Sequence, residues 1–503
     1  MSQLVRDTRN IGLALGPAVC LLFFFWEIDP DNPVVGRMLG VALWMAIWWI
    51  TEVVPLAITS LLPVALLPLL GISNGKVVSS AYFNDVIFLF IGGFLLALAM
   101  QKWQLHKRIA IRILMLTGTK PTGILMGFMG ATAFLSMWIS NTATAMMMIP
   151  ILLAVLLQLT ENMLPENQKQ MSCGMLLGVA YSASIGGIAT LVGTPPNLSF
   201  ARIFHIMFPS APEIGFGQWL LFALPVSIIM LLFGWIYLSH RYIRKSGAET
   251  GGKIALEDQY ASLGKISSEE LIVLVHFVVL ALLWTFRSTI DLGFATIPGW
   301  DALLTNPSLI NDGTIAIALT IPLFIIPSKS THGSRLMDWK TAADLPWDIV
   351  LLFGGGFALA GGIRDSGLAM WIGNQLQWME GIHPVLFIVI VVTMMTFVTE
   401  LTSNTATTEM VLPILAGLSV SSNINPLLLM IPATIAASMA FMLPVATPPN
   451  AIIFGTRRIT VMQMAKAGLV MNLAGIIVLT LLTWFWARIV FGIDSTVFPT
   501  SWQ

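Results

Sequence analysis

The chain has 503 residues, 56% of them hydrophobic and only 10% charged, with 25 basic and 25 acidic side chains and no net charge. A soluble domain carries roughly a quarter charged residues, so the composition excludes one and identifies a polytopic membrane protein, while the charge balance argues against a nucleic-acid partner. Cys20 and Cys173 lie in or beside apolar runs and form neither a disulfide framework nor a zinc site.

The apolar runs are continuous rather than alternating, so the spanning elements are helices and not strands. Basic residues precede the first run, 11–28, but the sequence FFFWEIDPDNP that ends it has no small-residue cleavage site, so it reads as a retained helix. Run 34–70 is interrupted near Glu52, and run 86–100 is followed by 105–116, where Lys107, Arg108 and Arg112 stand among apolar residues in the pattern of an interfacial helix. Residues 123–158 are too long for one crossing and too short for two, which suits a re-entrant hairpin with SNTAT, residues 140–144, at its tip. Next comes 173–208, a helix that must break halfway, because Pro195 and Pro196 remove two backbone donors and push Thr194 out of the α region. Run 219–238 leads into a polar loop, 239–268. Beyond it lie runs 271–286 and 314–327, a second hairpin carrying SNTAT at 403–407, a second break at Pro448 and Pro449, and a last run, 469–489.

This order is a duplication. DVIFLFIGGF at 85–94 matches DIVLLFGGGF at 348–357 at an offset of 263, and the two SNTAT segments share that offset. GTPPN at 193–197 mirrors ATPPN at 446–450 at an offset of 253, the difference being absorbed by the polar insertion at 161–172. Cytoplasmic loops collect Lys and Arg. After the first GGF helix come Lys102, Lys107, Arg108, Arg112 and Lys120, but the matching stretch of the second half offers only Arg364. After TPPN the bias reverses, with Arg202 in the first half and Arg457, Arg458 and Lys466 in the second. Opposite signs at matching positions predict inverted topology, as in many secondary transporters. Arg6 and Arg9 put the N-terminus in the cytoplasm, together with the loop cluster Arg241, Arg244, Lys245, Lys253 and Lys265, and the C-terminus is expected outside.

Non-helical backbone at mid-membrane survives only where it is buried in protein or lines a wet cavity. The two tips and two breaks are therefore expected to face one another, offering carbonyl oxygens to a cation and helix N-termini to an anion. Ser, Asn and Thr supply oxygens and donors without a fixed charge that would be costly to bury in an empty site. Such a site suits a small dianion whose charge bound sodium offsets. Glu400 and Glu409 flank the second tip and are candidate proton carriers, but the first tip has no matching acid. Asp85 and Asp348 read as helix caps, GGGF at 354–357 as close helix packing, and the six scattered histidines share no metal-ligand spacing.

The two SNT motifs, the two TPPN breaks and WWITEVVPLAITSLLP at 48–63 give a sequence that resembles the divalent anion sodium symporter family, the INDY-type sodium-coupled dicarboxylate transporters, over nearly its whole length. The resemblance implies an all-α polytopic fold of about eleven transmembrane helices, arranged as an inverted repeat with two re-entrant hairpins and two broken helices, working as an elevator in a homodimer. It implies one sodium site at Ser136, Ser140, Asn141 and the backbone of Gly193, and a second at Thr399, Thr402, Asn404 and the backbone of Ala446. Substrate carboxylates would meet Asn141 and Thr142, Asn404 and Thr405, with Thr194, Pro195, Thr447 and Pro448 lining the pocket. The corresponding division is 1–120 and 269–381 as scaffold helices, 121–238 and 382–503 as transport parts, and 239–268 as a cytoplasmic linker. The expected activity is sodium-coupled symport of C4 dicarboxylates such as succinate, malate and fumarate across a bacterial plasma membrane, with sodium as coupling ion, membrane lipid as surroundings and no organic cofactor. A sodium-independent exchanger of dicarboxylates, 2-oxoglutarate or citrate is the alternative. An enzyme is disfavoured, because the midplane segments hold no nucleophile with a positioned base.

Overall fold

The computed structural model describes residues 2–26, 28–161, 163–244, 253–291, 296–330, 333–376, 381–493 and 496–502. These residues are helical, apart from short turns and one two-residue strand pair, Ile290–Asp291 with Thr296–Ile297. Among the described residues eight helices are long and apolar enough to cross a bilayer, and six shorter apolar helices accompany them. The helices follow from the solvent, since in hydrocarbon each backbone N–H and C=O must find its partner within its own segment. Ile11, Leu21, Leu282 and Phe485 point outward, an arrangement that is costly in water and favourable against lipid.

Several sequence expectations are met with local differences. Run 34–70 divides at Glu52, which adopts a left-handed backbone (φ 45°) and stops helix Pro33–Thr51. Helix Leu105–Leu116 forms as expected, but its Arg108 is buried, paired with Glu270 at 3.1 Å and donating to the Leu263 and Gly264 carbonyls. Arg112 donates to the Tyr260 hydroxyl of helix Lys253–Ser262. Part of the 239–268 linker, 245–252, lies outside the described residues. The capping role expected of Asp85 belongs instead to Asn84, whose side chain accepts from the Val86 and Ile87 amides, leaving Asp85 in the first turn, where it pairs with Arg202 at 3.3 Å. Asp348 likewise lies inside its helix, one residue past Trp347.

From Met171 to its end, helix Pro165–Ile188 is enclosed by its neighbours. Its glycines make that possible, since a side chain at Gly178 would strike Leu125 and Met129, and one at Gly174 would strike Tyr242. In helix Trp347–Asp365 the three consecutive glycines each accept a different neighbour: Tyr82 against Gly354, Ser60 against Gly355 and Glu409 against Gly356.

Candidate functional site

Each SNTAT begins a helix. Helix Pro121–Ser136 ends at the first tip and helix Asn141–Thr160 leaves it, with Ser140 as N-cap accepting from the Ala143 amide (3.3 Å). Helix Pro384–Val398 ends at the second tip and Asn404–Ser421 leaves it, with Ser403 as N-cap. The breaks expected at TPPN also form. Helix Pro165–Ile188 stops and Pro195–Met207 restarts behind an extended Thr194, while Leu427–Ala437 stops and Pro448–Gly455 restarts behind an extended Thr447. Proline is favoured there because the first turn needs no intrahelical N–H bond.

Ser140, Thr194, Ser403 and Thr447, the residues just ahead of these four helices, all line one cavity of about 830 Å³. A helix N-terminus carries about half a positive charge, so four of them together present about +2 from backbone alone.

Behind each tip lies an oxygen cluster. The Ser136 hydroxyl sits 2.5 Å from Asn141 Oδ1 and 2.7 Å from the Ala183 carbonyl. In the other half the Thr399 hydroxyl sits 2.7 Å from Asn404 Oδ1 and 2.7 Å from the Ala437 carbonyl. One hydroxyl hydrogen cannot satisfy two acceptors at once, so each cluster has lone pairs to spare, the condition that a small hard cation relieves. Backbone crowds the first cluster further: a side chain at Gly187 would meet Asn141 Oδ1, and one at Gly193 would meet the Gly187 and Ser136 carbonyls.

The last residue of each TPPN closes its break by binding the carbonyls that the interruption leaves without helical partners. Asn197 Nδ2 donates to the carbonyls of Thr190 (2.7 Å), Ile188 (3.1 Å) and Gly187 (3.2 Å). Asn450 Nδ2 donates to those of Ala440 and Leu443, both at 3.1 Å. Carbonyls orphaned at the end of a helix inside a membrane protein have no water to turn to, and the side-chain amide replaces it. The recurrence of Asn at one register was the sequence signal for this.

Glu400 is also structural. Its carboxyl accepts from three successive amides of the second break, Phe441, Met442 and Leu443 (2.8–3.1 Å), and from Asn472 Nδ2 (2.8 Å). It thereby ties tip to break. In the first half a neutral group does the same, with Thr190 Oγ1 donating to the Met137 carbonyl and accepting from the Gly193 amide.

All eight residues expected to meet the substrate, Asn141, Thr142, Thr194, Pro195, Asn404, Thr405, Thr447 and Pro448, line the cavity, as do Ser140, Gly193, Thr402 and Ala446. Ser136 and Thr399 do not line it but stand one layer back, in contact with Asn141 and Asn404. Thr402 lines it with its hydroxyl already shared between the Val398 carbonyl and Thr407 Oγ1. The exposed rim carries Arg9, Glu52 and Asp348, drawn from distant parts of the chain with no common motif to announce them.

The model of the sodium:sulfate symporter transmembrane region matches residues 31–493. The sodium-dependent dicarboxylate transporter SdcS of Staphylococcus saprophyticus is 44% identical over 496 residues, covering 97% of this chain and 93% of the relative. SdcS of Staphylococcus aureus is 44% identical over 492 residues, covering 96% and 92%. Two solved structures share the fold at low identity. MtrF of Neisseria gonorrhoeae, described with a class of antimetabolite efflux pumps, has a TM-score of 0.53 at 13% identity over 81% of each chain. The Alcanivorax borkumensis YdaH transporter has a TM-score of 0.53 at 14% identity, covering 83% of this chain and 87% of its own. By this match and these relatives, the chain belongs to the sodium:sulfate symporter family, with the family's transmembrane region at residues 31–493.

Proposed function

We propose that the chain is a secondary active transporter that carries a C4 dicarboxylate together with sodium ions. One observation carries this reading: four helix N-termini and two electron-rich oxygen clusters converge on one cavity. Backbone dipoles summing to about +2 complement a dianion, and the clusters complement monovalent cations. Asn141 and Asn404 belong to both sets, each turning its amide oxygen to a cluster while lining the cavity, so ion and anion occupy adjoining positions. Binding either alone would bury an uncompensated charge, costing several kcal/mol. That shared cost is the physical source of coupling.

The assigned roles are sodium at Ser136, Ser140, Asn141 and Gly193, and at Thr399, Thr402, Asn404 and Ala446. The carboxylates lie against Asn141, Thr142, Asn404 and Thr405, with Thr194, Pro195, Thr447 and Pro448 as walls. The relatives' names specify dicarboxylates and the family description names sulfate; both are divalent anions, and the room in the cavity favours the larger. With the N-terminus in the cytoplasm, the rim of Arg9, Glu52 and Asp348 would face inward, which supports reading this conformation as inward-open. Residues 121–238 and 382–503 would then move as the transport part of an elevator against the helices of 1–120 and 269–381, each subunit of a homodimer working by itself.

Uptake of labelled succinate by purified protein in liposomes tests this. An imposed sodium gradient should drive accumulation, choline in its place should abolish it, and excess sulfate should compete weakly. Accumulation that ignores sodium and requires dicarboxylate inside the vesicle would replace symport by exchange.

A further inference from the structure

The second tip's helix carries a carboxyl that neither the clusters nor the cavity uses. Glu409 is fully buried, its Oε1 lies 3.0 Å from the Ser199 hydroxyl, and its Oε2 has no hydrogen-bond partner. The carboxyl is pressed against Gly356, where any side chain would collide with it. Helix Asn404–Ser421 packs against Pro33–Thr51, Pro195–Met207, Trp347–Asp365, Leu368–Gln375 and Leu427–Ala437, and among their described residues no cation reaches Glu409. Arg37 donates to the Leu70 carbonyl, Arg202 pairs with Asp85, and Arg364 engages Asp365 and the Ile206 carbonyl. His205 lines a separate small cavity with Asp85 and Arg202, while Glu52 and Asp348 lie on the rim of the large one. Leu368–Gln375 and Leu427–Ala437 contain no titratable residue. Among the described residues Tyr82 is the one other titratable group that faces the carboxyl, and its hydroxyl donates to the Ser60 carbonyl instead.

A carboxylate here would be an unpaired charge inside a membrane protein, whereas the neutral acid leaves only one oxygen without a partner. Glu400, four donors around it, shows the alternative this chain uses when a carboxyl is tied down. Glu409 also lies five residues beyond Asn404, about 7.5 Å along the axis of a helix whose N-terminus faces the cavity. A negative charge there would oppose an anion at the tip.

We propose that Glu409 is a proton-binding site linked to anion binding, so that the state that loads substrate holds a proton on this carboxyl and releases it to water when Glu409 leaves its contact with Gly356. The proposal rests on the transport reading above for its link to substrate, but not for the presence of the proton. It makes the chain sensitive to pH through one residue for which the first repeat has no counterpart, since the matching position in the first tip's helix is Met146.

Two measurements test it. In liposomes with a fixed sodium gradient, labelled fumarate uptake is followed from about pH 6 to about pH 8.5, a span within which buried carboxyls are known to titrate. Wild type should lose uptake as pH rises, approaching about tenfold per pH unit above its midpoint for one required proton, and E409Q should stay within about twofold across the range. E409Q following the wild-type profile overturns the proposal. Infrared difference spectra supply a readout independent of transport: wild type should show a protonated-carboxyl C=O band that E409Q lacks, and identical spectra overturn the proposal. If E409Q does not fold, S199A, which removes the single hydrogen bond to the carboxyl, should move the wild-type midpoint, and an unmoved midpoint overturns the proposal. Wild type that carries no fumarate at any pH refutes the transport reading instead and leaves the infrared test of Glu409 intact.

Discussion

Replacing Asn197 by alanine removes the amide that closes the first break. Its Nδ2 serves the Thr190, Ile188 and Gly187 carbonyls at 2.7, 3.1 and 3.2 Å, and the side chain is fully buried. Two N–H hydrogens make at most two full bonds, and a buried acceptor stripped of its donor costs about 1–3 kcal/mol, so N197A should lose about 2–6 kcal/mol. N197D should lose more, because it keeps the shape but sets a negative oxygen against the same carbonyls. N450A removes donors to two carbonyls at 3.1 Å and should fall at the lower end of that range. Gly187 abuts both Asn141 Oδ1 and the Gly193 carbonyl, so slack in the first break should also reach the first oxygen cluster. Each 1.4 kcal/mol that reaches it raises the sodium needed about tenfold. Thermal denaturation in detergent, with and without sodium, reads the first effect, and sodium titration of uptake reads the second. N197A melting with wild type and keeping its sodium dependence would refute the capping account.

S136A and T399V each take the hydroxyl from one oxygen cluster; with a charged partner such a contact contributes about 1.5–3 kcal/mol, so sodium titration of uptake should shift at least about tenfold, and T399S should restore it. R108A strands Glu270, its partner at 3.1 Å in a pair only 7% exposed on each side; breaking such a pair from one side costs about 3–5 kcal/mol, and E270Q added to R108A should recover part of the lost thermal stability. Lys102 (2.7 Å) and then the Thr341 amide (2.8 Å) hold the Asp338 carboxyl down to about 2. A depressed carboxyl adds stability that is complete above its unfolded value, near 4, and is lost as pH falls through about 2. Melting measured from about pH 5 down to about pH 2 should therefore show a small acid-dependent loss that K102M reduces, small because Asp338 is 45% exposed.

Composition and residue pattern were enough for the membrane class, the helices, the duplication and the two pairs of polar interruptions. These are local matters: hydrocarbon demands self-satisfied backbone, proline forbids helix continuation, and a repeated pentapeptide is visible without coordinates. The sequence also led to the residues around the cavity, because the repeats fix which tip faces which break and a resemblance supplied their roles. The cap at Asn84 in place of Asp85 shows the limit of that locality, since two polar residues compete for one position and the backbone angle decides between them. Which acids are tied down and which are not depends on how the helices pack. Glu400 and Glu409 look alike beside the second tip, yet one meets three backbone amides and an asparagine from 41 to 72 residues away, and the other meets a single serine 210 residues away. The rim of Arg9, Glu52 and Asp348 and the burial of Arg108 depend in the same way on where distant backbone comes to rest. A side chain's charge and bonding are set by its neighbours in space, and those neighbours are distant in the chain.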